Sequence, residues 1–87
     1  MKRFIGKGIG SMGIIRSVIV QWVVMNGGKV DRRDDSVYYF IPVSRIDAFF
    51  SYLRECLAFK ESNMFSCKLQ DGYMIVPRYS IEQNIVF

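Results

Sequence analysis

Val37-Tyr38-Tyr39-Phe40-Ile41-Pro42-Val43, residues 37–43, is the stretch on which the fold turns. β-Branched and aromatic residues fill it, as they fill pleated, half-buried surfaces. Strand alternation sends Val37, Tyr39, Ile41 and Val43 to one face and Tyr38 and Phe40 to the other. The first set suits a covered face. The second leaves two rings, two residues apart, on the opposite side. Pro42 has no N–H to give to a sheet ladder and marks the end of the strand.

Toward the amino terminus, Asp34-Asp35-Ser36 carries turn chemistry and Lys29–Arg33 reads as a short polar strand. Before it, 12–26 reads as a helix. Ile15, Val18, Ile19, Trp22 and Met25 fill one side of the wheel; Gly13, Arg16, Ser17 and Gln21 fall on the other. Asn26-Gly27-Gly28 is a carboxy-terminal stop for that helix. A further short strand is expected at Arg3-Phe4-Ile5.

Toward the carboxy terminus, Ser44 with Asp47 resembles a capping box. Ile46, Phe49, Phe50, Leu53, Cys56 and Leu57 then recur at helical spacing, while Asp47, Ser51, Arg54, Glu55 and Glu61 point away. Residues 65–70 and 73–76 flank Asp71-Gly72, a strong hairpin signal because both turn positions need positive φ. Beyond Pro77, Tyr79, Ile81, Ile85 and Phe87 alternate with polar residues, which fits a final strand or an irregular tail. In sum the chain, 1–87, is expected to be one α+β domain. Its order β-α-β-β-α-β plus a carboxy-terminal strand is that of the ferredoxin-like split β-α-β sandwich, an antiparallel sheet with two helices on one face.

The charge is +4 and unevenly placed. Residues 1–30 hold Lys2, Arg3, Lys7, Arg16 and Lys29 with no acid, +5; residues 31–87 hold seven bases and eight acids, −1. A basic end on a near-neutral remainder suits an anionic partner. The stretch 9–28 is apolar, but Arg16 and Gln21 interrupt it and no cleavage site follows, so a cytoplasmic protein without a membrane partner is expected. Cys56 and Cys67, in a chain with no histidine, lack the spacing and co-ligands of a metal site. They read as small buried hydrophobes in a reducing compartment.

Gly8-Ile9-Gly10-Ser11-Met12-Gly13 matches G-x-G-x-x-G, and Asp31 lies 18 residues beyond Gly13. On these residues the segment resembles the first loop of Rossmann dehydrogenases, which implies a dinucleotide cofactor. Gly6 and Lys7 stand where a buried strand should end, 29–31 is too short for a covered parallel strand, and the remainder supplies no further crossovers. No cofactor is therefore expected. Gly8, Gly10, Ser11 and Gly13 beside Lys2, Arg3 and Lys7 still suit a looser phosphate loop. The structural alternative is a flexible entry to the helix, capped by Ser11.

Tyr38 and Phe40, with Phe4 from the first strand, occupy positions at which RNA-recognition modules stack bases. The basic-Gly-aromatic signature of such modules is absent; Asp35-Ser36 stand in its place. The expected function is that of a small non-catalytic accessory or regulatory protein binding RNA or another single-stranded nucleic acid. Lys2, Arg3, Lys7 and Arg16 would contact phosphates, and Phe4, Tyr38 and Phe40 would stack. The alternative is a protein-binding inhibitor or adaptor, or a homodimer, acting through the same face. An enzyme is not expected: there is no histidine, Arg32 and Arg33 interleave the Asp31, Asp34, Asp35 cluster, and Cys56 sits on an apolar helix face.

Overall fold

The computed structural model describes residues 9–60 and 67–85, the first three for backbone alone. Four strands form one antiparallel sheet: β1 (Lys29–Arg33), β2 (Ser36–Pro42), β3 (Lys68–Gln70) and β4 (Tyr73–Pro77), in spatial order β1-β2-β4-β3. Three helices accompany it: α1 (Ile9–Met25), α2 (Ile46–Cys56) and the short α3 (Arg78–Glu82).

The sheet is two tight hairpins side by side. Asp34, at φ 57°, turns β1 into β2; Asp71 at φ 53° and Gly72 at φ 83° turn β3 into β4, both central residues being left-handed as the Asp-Gly pair required. Register then assigns the faces, since cross-strand partners project to the same side. Tyr39 lies opposite Val76 and Ile41 opposite Met74. Tyr39, Ile41 and Val76 are fully buried and meet Ile19 and Val23 of α1, Phe49 and Leu53 of α2, and Ile81 of α3. All three helices thus contribute to one core on one side of the sheet. Each of these side chains contributes about 1.5–3 kcal/mol by leaving water. Trp22 joins the two long helices, its ring 5.4 Å from Phe49 and 5.7 Å from Tyr52.

α1 is apolar almost all round, so periodicity located its buried face only roughly. Ile19 and Val23 are fully buried, whereas Met25, expected on the inner side, is 76% exposed at the helix end. There Gly27, at φ 85°, sends its N–H to the Val24 carbonyl while the Gly28 N–H reaches Val23, a Schellman stop. Gly28 has a separate reason to be glycine: an added Cβ would collide with the Phe40 carbonyl oxygen and meet Val23 Cγ1 at 2.8 Å. The residue therefore lets helix end and central strand touch backbone to backbone.

Several expectations are corrected. The described strands do not show the ferredoxin-like order: β2 has β1 on one side and β4 on the other. Arg3-Phe4-Ile5 lies outside the described residues. Where the carboxy-terminal strand was expected, Arg78–Glu82 forms α3 with Ile81 buried, and among the described residues of this segment only Ile85 makes a strand-like bridge, to Phe59. Ser44 does not cap α2. A 3₁₀ turn at Val43–Arg45 comes first, and no side chain bonds the start of α2 at Arg45. Cys56 is exposed rather than buried, and neither cysteine forms a disulfide.

Candidate nucleic-acid interface

The face of the sheet away from the helices is built by the alternate residues of each strand. One cross-strand row runs Lys29, Phe40, Ile75, Lys68; the next holds Asp31, Tyr38 and Pro77; Tyr73 and Gln70 pair on the other side. Long cations from the two outer strands therefore flank an apolar centre. Lys29 Nζ stands 5.1 Å from the Phe40 ring centroid and 5.6 Å from that of Tyr73, and the Arg33 guanidinium carbon stands 5.1 Å from Phe40. Tyr73 meets Phe40 edge-on, centroids 6.2 Å apart. Each cation over a ring contributes roughly 0.5–1 kcal/mol at such exposed sites.

Phe40 is consequently only 4% exposed. Its ring lies on the expected face of the sheet, but two cations and a tyrosine cover it. Tyr38, partly exposed, lines a groove of ≈ 320 Å³ with Arg33, Asp34, Lys68 and Gln70, over a floor of Ile75 and Pro77. Arg33 also holds Asp31, Nε to Oδ2 3.1 Å, both side chains about half exposed. Such a pair contributes little to stability and leaves the guanidinium free to exchange partners.

Lys2, Arg3, Phe4, Lys7 and Gly8 lie outside the described residues, so their place relative to this face is not assigned. Gly10, Ser11 and Gly13 belong to α1, which already runs from Ile9. The expected phosphate loop is thus helical over this part, and Gly13 sits exposed with nothing within 4 Å of where a Cβ would stand. Arg16 is remote in role from the groove. Its Nε and Nη2 donate to the two carboxylate oxygens of Glu82 at 2.6 and 2.8 Å, a two-point brace between α1 and α3. That hydrogen bond pushes the Arg16 guanidinium still further up from its ordinary value.

Arg33, Lys68, Gln70 and Tyr73 were not singled out from sequence, and Lys29 only as one base of the amino-terminal end. The signal was present in the register: the Asp34 and Asp71-Gly72 turns fix which residues of the outer strands share a face with Tyr38.

A second hollow of ≈ 370 Å³ opens beside the first, lined by Arg16, Asp35, Ser36, Val37, Tyr38, Pro77, Arg78, Tyr79 and Glu82. Near it, the buried Tyr39 hydroxyl makes no hydrogen bond with the described residues. Burial pushes its pKa up to about 12, against the lowering influence of Arg78 and Arg16. Among the described residues no group of three or more histidine, cysteine or carboxylate side chains is placed to hold a metal, and no helix is long and apolar enough to cross a membrane.

The chain matches no family model, no characterised protein sequence and no solved structure, so the geometry alone carries the functional argument.

Proposed function

We propose that this protein binds single-stranded nucleic acid, RNA foremost, on the open face of its sheet, as a non-catalytic accessory or regulatory factor. One observation carries this: Tyr38 stands in a groove that Arg33 of β1 and Lys68 of β3 also line, a stackable ring beside two cations of the kind that bind phosphate. A base on Tyr38 contributes roughly 1–3 kcal/mol, and the flanking cations hold the backbone on either side. Phe40 takes a supporting part, as the apolar bed from which Lys29 and Arg33 swing onto phosphates. No catalytic step is assigned; the chain has no histidine, Asp34 sits on an exposed turn, and Asp31 is paired with Arg33.

Gel-shift titration with a mixed single-stranded RNA tests this. Binding should weaken steeply with salt, with a log–log slope of about −2 if Lys29, Arg33 and Lys68 each neutralise a phosphate. Arg33→Ala or Lys68→Ala should each flatten that slope by about 0.7. Absence of any shift at low salt contradicts the proposal.

A second reading rests on the outer edge of β3, where Leu69 is 67% exposed and no described strand pairs beyond it. Such an edge accepts an added strand, from a second copy or from a protein that this one inhibits or adapts. A concentration-independent dimer in light scattering, abolished by Leu69→Lys, would favour it.

A further inference from the structure

The two hollows share a wall. Tyr38 and Pro77 line both, so the two hollows adjoin at the end of the sheet where β4 runs into α3. Their charges differ. On the face around the first, Lys29, Arg33 and Lys68 stand with Asp31 and Asp34, leaving one positive charge in excess. In the second, Arg16 and Arg78 face Asp35 and Glu82, and the charges balance. Glu82 is already held at both oxygens by Arg16, with Arg78 3.7 Å away. A balanced hollow has little to offer a phosphate. It does hold a large ring: Tyr79 is 69% exposed, and Gln83 Nε2 donates to its hydroxyl at 2.8 Å, which restrains its orientation. Asp35 and Ser36 add acceptors and a hydroxyl donor of the kind that read base edges.

We infer that the ligand is a strand of two or more nucleotides bound along a track, with one base on Tyr38, its flanking phosphates at Arg33 and Lys68, and the adjoining base on Tyr79. This rests on the nucleic-acid reading above and extends it with a second subsite, a second stacking residue and a minimum ligand length. Both rings need unpaired bases turned out toward them, so a duplex of the same sequence is excluded from the track.

Fluorescence anisotropy with labelled oligouridylate four nucleotides long, and competition by uridine monophosphate, reads the track directly. Wild type should hold the tetranucleotide at least about tenfold more tightly than the mononucleotide. Tyr79→Ala should weaken the tetranucleotide by about 5- to 100-fold and leave competition by the mononucleotide unchanged. Tyr79 is exposed, so the variant should keep its thermal midpoint, which is measured alongside. If Tyr79→Ala binds the tetranucleotide as wild type does while Tyr38→Ala does not, the track stops at Tyr38 and the inference is overturned with the nucleic-acid reading intact. If wild type binds no oligouridylate yet shifts the mixed RNA, the inference is overturned and the nucleic-acid reading stands; if it binds neither, both fall.

Discussion

Tyr39 occupies the centre of the core with its hydroxyl buried and without a hydrogen bond to the described residues. A buried unpaired hydroxyl costs about 1–3 kcal/mol, so Tyr39→Phe should leave the protein as stable or somewhat more stable at neutral pH. The pH dependence gives a sharper test. With its pKa pushed from 10.0 to about 12, the folded state keeps a proton that the unfolded chain releases above pH 10. Stability therefore falls as pH rises between those values, and at pH 11 this component amounts to about 1.4 kcal/mol. Urea titrations at pH 8 and pH 11 should show the wild type losing that much relative to Tyr39→Phe. An unchanged gap would mean that the hydroxyl reaches solvent in the folded state. Alternation in 37–43 placed Tyr39 on the covered face; nothing in the sequence showed that its hydroxyl would find no partner among the described residues, since that depends on how α3 and α1 pack around it.

At the scale of elements, the joint between α1 and β2 is the place where the chain tolerates least. Gly28 admits the Phe40 carbonyl into the space a Cβ would fill, whereas Gly13, mid-helix and exposed, admits nothing. Gly28→Ala should cost about 1–3 kcal/mol as an overpacked contact, and Gly13→Ala should gain about 0.5–1 kcal/mol of helix propensity. Thermal midpoints of the two variants should move in opposite directions, by roughly 4–8 °C per kcal/mol. α2 and the Asp71-Gly72 hairpin were legible in sequence because period and turn chemistry are local. α3 was not: a five-residue helix shows hardly more than one period, and Tyr79, Ile81, Ile85 and Phe87 satisfy alternation as well. The strand order was illegible for a different reason. Composition does not say which hairpin edge meets which, and β4 beside β2 is a choice made by packing of the whole core.

At the scale of the whole molecule, the described residues pack one sheet face into the core and set cations and rings on the other. The sequence pointed to that division through Tyr38 and Phe40 alone. It did not show that Lys29 and Arg33 would lie over Phe40, because side chains arriving from a neighbouring strand depend on register rather than on spacing within 37–43. The open face, with Tyr38 beside Arg33 and Lys68, is the central claim, and nuclear magnetic resonance tests it most directly. Titration of labelled protein with the uridine tetranucleotide should move the amide signals of Arg33, Tyr38, Lys68 and Gln70 in a saturable, salt-sensitive way, leaving Phe49 and Leu53 on the helical side in place. Shifts centred on α1 and α2 with the groove signals unmoved would contradict it.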